Sequence, residues 1–225
     1  MLEVLYEDNH IIAVNKKPSD IVQSDKTGDR PLGEFVKDYI KKEYNKPGDV
    51  FLGVVHRLDR PVSGVILFAR TSKALSRLNE LFRSKQVQKT YWAVVKNKPK
   101  PTKDILVHYL KKNQQKNKST AYNREEDGTL KSELSYQLIK SLDNYHLLEV
   151  LPKTGRHHQI RVQLSKIGSF IKGDVKYGAD RTNKNASIHL HARKIEFIHP
   201  VKKEPISITA SPPKKDAVWL ACIKG

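Results

Sequence analysis

One carboxylate set among basic side chains is the most chemically suggestive feature of this sequence. The stretch Gly53-Val54-Val55-His56-Arg57-Leu58-Asp59-Arg60-Pro61-Val62-Ser63-Gly64 joins two apolar runs through a polar loop. Within it Asp59 lies between Arg57 and Arg60, with His56 close by. A neighbouring guanidinium favours the ionised carboxylate by about 1 to 3 pKa units, which keeps a nucleophile ready at neutral pH. The same spacing also suits a plain surface turn in which Asp59 pairs with an arginine.

Two further segments carry groups of the right types. Thr154-Gly155-Arg156-His157-His158-Gln159-Ile160-Arg161-Val162 reads as a turn leading into a helix. Ile160, Leu164 and Ile167 point inward on that helix, with Gln159 and Arg161 on other faces. Arg156 and both histidines stand near its amino end, where backbone N–H groups also attract anions. A basic helix start exposed to solvent has the same pattern. Gln88-Lys89-Thr90-Tyr91-Trp92-Ala93-Val94 alternates as a strand and sets Lys89, Tyr91 and Ala93 on one face. A tyrosine on a strand serves packing more often than chemistry.

These segments need a scaffold, and the hydrophobic pattern supplies one. Residues 2–7 and 10–16 read as strands around the turn pair Asp8-Asn9. Pro31 opens a helix with Leu32, Phe35, Val36, Tyr39 and Ile40 on one stripe, stopping before Asn45-Lys46-Pro47-Gly48. Val65 to Ala69 is a continuous apolar strand. Thr71 or Ser72 caps the helix that follows, with Ala74, Leu75, Leu78, Leu81 and Phe82 as its buried face. A strand at 90–95 precedes a window, 96–118, with eight lysines and one acid; interrupted by the strand-like run Ile105 to Leu110, it reads as a basic hairpin or loop excursion from the core. Strands follow at about 132–140 and 145–151. Later strands fall at 188–198 and 205–210, and a short helix at 217–223. Runs of strands with few helices between them predict an α+β fold with a mixed, largely antiparallel sheet.

Charge narrows the partners. The 225 residues hold 42 Lys plus Arg against 24 Asp plus Glu, a net of +18, which favours a polyanion through counterion release. A single cysteine, Cys222, excludes an internal disulfide and a cysteine-rich zinc site. No apolar run approaches the roughly 20 residues that span a bilayer, and no leader pattern opens the chain. The expectation is one soluble, cytoplasmic domain over 1–225 with no membrane partner. The absence of a repeated apolar surface stripe favours a monomer.

The three chemical segments, in this order, resemble the RluA-type pseudouridine synthases. The match rests on His56-Arg57-Leu58-Asp59 with Ser63-Gly64, on Lys89-Thr90-Tyr91-Trp92-Ala93, and on Thr154 to Val162. Asp8 to Pro18, Phe170 to Gly178 with its Gly-Asp-x-x-Tyr-Gly pattern, and Leu190 to Pro200 match flanking parts of the family, so the resemblance covers about residues 3 to 213. Val62 departs from it by replacing a threonine. The amino-terminal S4 domain that many members carry is not expected here.

The resemblance implies a pseudouridine synthase fold with a central sheet flanked by helices and loops. It implies isomerisation of uridine to pseudouridine in structured RNA, ribosomal or transfer, with no cofactor and no metal. Asp59 is then the catalytic carboxylate, Arg161 the arginine that pairs with it, and Tyr91 the tyrosine packed against the base. Attack at C1′, attack at C6 and removal of the 2′ proton are the three routes open to that carboxylate. A stacked uridine must leave its helix to be reached, at a cost of about a few kcal/mol. Arg57 corresponds to the residue that fills the gap, and His56, Lys89, Arg156 and His158 are further RNA-binding candidates. The 96–118 lysines suit an RNA clamp from charge alone.

Two other functions fit parts of the pattern. A non-catalytic RNA-binding or ribosome-assembly protein on the same fold would account for the charge, although Asp59, Tyr91 and Arg161 are all present. An N-glycosidase or nuclease built on Asp59 would need a second acid at suitable spacing, and the sequence offers none. His189 and His191 on one strand face form a two-ligand arrangement without a third ligand at metal spacing.

Overall fold

The computed structural model describes residues 2–24 and 28–223. In chain order, β1 (Val4–Glu7) and β2 (Ile11–Lys16) form a hairpin closed by Asp8, whose carboxylate accepts the N–H groups of His10 and Ile11. Helix α1 (Leu32–Glu43) starts after Pro31 and buries Leu32, Val36 and Ile40. Its stripe is narrower than expected. Phe35 stays 46% exposed beneath the guanidinium of Arg30, while the Tyr39 hydroxyl donates to Glu7.

The short β3 (Gly53–Val54) leads through the Asp59 loop to β4 (Ser63–Ala69), which is buried along its whole length. That burial on both faces explains the unbroken apolar run. Thr71 caps α2 (Ser72–Arg83) by accepting the Ala74 N–H, a contact that contributes about 1 kcal/mol. Ala74 and Leu78 are the fully buried residues of that helix, with Leu75, Leu81 and Phe82 partly covered at its margin.

Next come β5 (Gln88–Val95), β6 (Lys103–Asn113), β7 (Lys118–Tyr122), β8 (Leu130–Ser141) and β9 (His146–Pro152). The lysine-rich window is a hairpin, but β6 does not stand off the core. It pairs with β7 on one side and β8 on the other, and buries Leu106, His108 and Leu110. Helix α3 (Gln159–Lys166) and a 3-10 turn at Val175–Tyr177 precede β10 (Leu190–Ile198), β11 (Pro205–Thr209) and α4 (Ala217–Ile223). All the pairings with a described register are antiparallel. The architecture is α+β, as expected. Among the described residues no helix is long and apolar enough to cross a membrane.

The chain divides into two compact units, 1–88 with 192–213, and 89–191 with 214–225. In the first, β2 and β4 pair in register, and Ile11, Leu67, Leu78, Ile195 and Phe197 build one core. In the second, the strand order is β5-β9-β8-β6-β7. Leu110, Ala121, Val162 and Tyr177 pack α3 onto one face of that sheet. On the other face Val94 and Leu147 receive Trp219 and Cys222 of α4. Burial raises the Cys222 thiol to about 11, which leaves it a neutral packing group.

Candidate active site

In the first unit the sequence folds around Asp59 for local reasons. The N–H of Val62 donates to the Asp59 carbonyl at 3.0 Å and closes a tight turn. Leu58 and Val62 on either side are buried, so Asp59 is held at the surface edge, half-buried, and Arg57 is exposed. His56 turns inward. Its ring stacks on Phe82 with centroids 5.0 Å apart, and its Nε2 accepts the Leu67 N–H at 3.0 Å.

Beneath the turn lies a residue to which the sequence reading assigned no role. Lys16 ends β2, is fully buried, and donates from Nζ to the carbonyls of Lys17 (3.0 Å), Arg60 (3.1 Å) and Val62 (2.7 Å). The Ser19 N–H adds a second donor to the Arg60 carbonyl, and the Arg60 guanidinium pairs with Asp29. Burial lowers the Lys16 ammonium to about 8, while Asp20 and Asp59 pull the other way and Arg60 lowers it further. The available signal was the pair Lys16-Lys17, which follows Asn15 directly after the apolar run Ile11-Ile12-Ala13-Val14. The loop's far end is fixed by Gly64, at φ +117°, where an added Cβ would stand 2.3 Å from the Ala192 carbonyl oxygen. The lost hydroxyl at Val62 does not weaken this frame, because the position contributes its backbone carbonyl.

In the second unit Tyr91 pairs with Val150, which pairs with Tyr136, which pairs with Asp104. Strand alternation therefore sets Tyr91 on the sheet face that carries Leu106, Leu110 and α3. Lys89 shares the face of Tyr91, and a Cβ at Gly155 would lie 3.8 Å from its Nζ. Burial lowers the Lys89 ammonium from its ordinary value. The turn before α3 is ordered by Gln159, whose Oε1 accepts Thr154 Oγ1–H at 2.7 Å and the Arg156 N–H at 3.0 Å. Arg156 itself is exposed.

Arg161 and Gln159 are both buried, against the expectation that they lie on faces away from the core. The reason is specific partners. Arg161 donates from Nε to Asp174 Oδ2 (2.7 Å) and from Nη2 to Asp174 Oδ1 (2.8 Å), and its Cζ stands 5.1 Å from the centroid of the Tyr177 ring. His158, at φ +54° before the helix, is buried with Nδ1 2.8 Å from the Tyr177 hydroxyl. The same hydroxyl accepts the Ser119 N–H at 2.8 Å. His157 stacks on His158 and lies within 3.0 Å of Asn117 and 2.8 Å of Ser119. The α3 start is thereby tied to the end of the β6–β7 hairpin.

Lys89, Tyr91, Arg156, His158 and Arg161 thus belong to one unit, and His56, Arg57 and Asp59 to the other. The His189 and His191 pair is occupied structurally. His189 reaches Asp216 and Asn183, and both rings pack on Trp219. Among the described residues no group of three His, Cys, Asp or Glu side chains is placed to hold a metal ion.

Comparison with known proteins adds to this geometry. The family described as RNA pseudouridylate synthase matches residues 10–166. The tRNA pseudouridine synthase C of Haemophilus influenzae is 32% identical over 228 residues, covering 93% of this chain and 92% of the relative. The ribosomal large subunit pseudouridine synthase C of Buchnera aphidicola subsp. Acyrthosiphon pisum is 37% identical over 215 residues, covering 92% of this chain and 66% of the relative. Among solved structures, human RNA pseudouridylate synthase domain containing 4 superposes with a TM-score of 0.81 at 23% identity, covering 97% of this chain and 92% of that one. That likeness is one of fold.

Proposed function

The chain belongs to the RNA pseudouridylate synthase family and is an RNA pseudouridine synthase, and from that premise we propose how its residues perform the reaction. Asp59 is the catalytic carboxylate, with Tyr91 and Arg161 as the other catalytic residues. The reaction breaks N1–C1′, turns the uracil, joins C5 to C1′, and moves a proton from C5 to solvent while N1 gains one. Nothing is consumed. Attack at C1′, attack at C6 and removal of the 2′ proton all require the carboxylate ionised and fixed in place.

The observation that carries the assignment of Asp59 is the anchoring of its turn by the buried Lys16 ammonium through the backbone carbonyls of Arg60 and Val62. A rigid turn of this kind supports a reacting group better than a mobile surface loop does. A planar guanidinium such as that of Arg161 suits a carboxylate partner, and a tyrosine face such as that of Tyr91 suits a uracil ring. Arg57 and Arg156 are exposed and take the RNA-facing roles, Arg57 in the space vacated by the flipped base. Lys89 joins them beside Gly155, while His56 and His158 support the site from within by packing.

The substrate is a uridine in structured RNA, bound by a cytoplasmic monomer without a cofactor or metal. The test uses transcripts of transfer RNA and of large-subunit ribosomal RNA carrying tritium at uracil C5. We expect tritium release with chain length and sugar–base attachment intact, in the arm that contains the target. Asp59→Asn should abolish release while RNA affinity falls by less than tenfold, about 1.4 kcal/mol. Turnover by that variant would remove Asp59 from its role, and binding without release by the native chain would favour a non-catalytic RNA-binding protein.

A further inference from the structure

Arg161 spends two of its N–H groups on a residue outside the proposed catalytic set. Its Nε and Nη2 form a bidentate pair with Asp174, at 2.7 and 2.8 Å. Both side chains are nearly sealed from solvent, Arg161 at 6% and Asp174 at 2% exposure. A buried guanidinium fixed along one edge retains a single orientation, and the Nη1 group is no part of that edge.

The backbone around Asp174 is itself over-determined. Its N–H donates to the Ile171 carbonyl at 3.0 Å, and its own carbonyl accepts the N–H groups of Tyr177 (3.0 Å) and Ala179 (3.1 Å). Gly173, at φ +87°, meets Asn183 and the Ser187 carbonyl where a side chain would begin. Gly178, at φ +106°, is closed in the same way by Phe170. Tyr177 then lays its ring against the guanidinium, and its hydroxyl is held by His158 and Ser119. A carboxylate that only balanced charge could sit on a flexible loop. This one is built into a rigid turn.

We propose that Asp174 is a positioning residue for the isomerisation, fixing the Arg161 guanidinium before RNA arrives. It touches neither substrate nor reacting atoms and acts through Arg161. The proposal rests on the reading of Arg161 as a catalytic residue. Preorganisation of this kind contributes to kcat, because a group displaced by about 1 Å can cost about a hundredfold in rate.

The test measures kcat and KM by tritium release for the full chain, Asp174→Asn, Asp174→Glu, Arg161→Lys and the double variant Asp174→Asn/Arg161→Lys. Side-chain Nε–H NMR of the free protein accompanies it, with the Arg161 signal identified by its loss in Arg161→Lys. Asp174→Asn should lower kcat about a hundredfold with KM within about threefold. It should also broaden or remove the Arg161 Nε–H signal. In the Arg161→Lys background the same change should cost less than about threefold, since the two residues act as one unit. Where Asp174→Asn does not fold, Asp174→Glu decides. It keeps the charge and moves the carboxylate by one methylene, and should lose kcat with little change in melting temperature.

A folded Asp174→Asn or Asp174→Glu with native kcat overturns the proposal, as does an equal cost of Asp174→Asn in both backgrounds. A persistent Arg161 signal in Asp174→Asn overturns it alone. Native kcat in Arg161→Lys overturns the catalytic reading of Arg161 and the proposal together, which separates the two failures.

Discussion

The Lys16 ammonium lies 2.7 Å from the carbonyl oxygen of Val62, three residues beyond Asp59, and no part of Lys16 reaches solvent. One cation therefore supports a turn that the chain reaches more than forty residues later. Replacing it with an apolar chain of similar length, Lys16→Met, strands the three carbonyls it serves. Each buried acceptor left unmade costs about 1–3 kcal/mol, offset in part by removing a desolvated charge. We expect a loss of about 2 kcal/mol, seen as a fall in melting temperature of about 2–4 °C per kcal/mol for a chain of this size. Turnover should fall more than about tenfold, because a shift of the turn carries Asp59 with it. Calorimetry and tritium release together check this, and a variant native in both would refute it.

The same ammonium gives a pH dependence with a definite sign. Burial lowers it to about 8 in the folded chain, against an ordinary 10.5. Between those values the unfolded chain binds more protons, so the contribution of this group to stability rises with pH. Activity should move the other way, since neutral Lys16 loses its attraction to Asp59. We expect kcat/KM to decline along an alkaline limb centred near pH 8, with no matching loss of folded protein attributable to Lys16. A rate profile flat to about pH 9.5 would break the link between this lysine and the site.

Gly64 is required by two independent constraints. Its φ of +117° is one that side-chain-bearing residues rarely adopt, and the Ala192 backbone leaves no space for a Cβ. Gly64→Ala should cost about 2–4 kcal/mol, through strain and displacement of the strand. Urea unfolding would show a lower midpoint with an unchanged slope. A midpoint equal to that of the native chain would mean that β4 can retreat from Ala192 at no cost.

Local signals in the sequence were enough for much of the frame. The Thr71 cap, the β1–β2 hairpin and the final helix each depend on neighbours a few residues away, and each lies where the pattern predicts it. The burial of Arg161 was not legible, because it depends on Asp174 thirteen residues on and on a ring contact with Tyr177. Lys16 was hidden for the same reason, its acceptors at Arg60 and Val62 being 44 and 46 residues away. In β6 the run Ile105 to Leu110 reads as a strand, but its place inside the sheet was not legible, because it depends on pairing with β8 at residues 130–137. Asp59 stood out because its basic neighbours are adjacent in the chain.

An RNA clamp built from the hairpin lysines makes a separate prediction. Lys111, Lys112, Lys116 and Lys118 are exposed around the turn between β6 and β7. Changing all four to Gln should flatten the dependence of RNA binding on salt, by about 0.7–0.9 in log–log slope for each phosphate contact removed. The kcat measured at saturating RNA should stay within about threefold of the native value. Filter binding from 50 to 300 mM salt would show it, and an unchanged slope would take RNA contact away from the hairpin.

The interleaving of the two units has a consequence for synthesis. The first unit begins with residues 1–88 yet needs residues 192–213, and the second needs residues beyond 213, so neither is complete until those later segments have been made. Until β10 and β11 emerge, Ile11, Leu67 and Leu78 lack the cover of Ile195, Phe197 and Ile208. A nascent chain paused before that point exposes an apolar half-core, the kind of surface that chaperones recognise and that aggregates when left uncovered. For this protein, a late translational stall would be more hazardous than an early one.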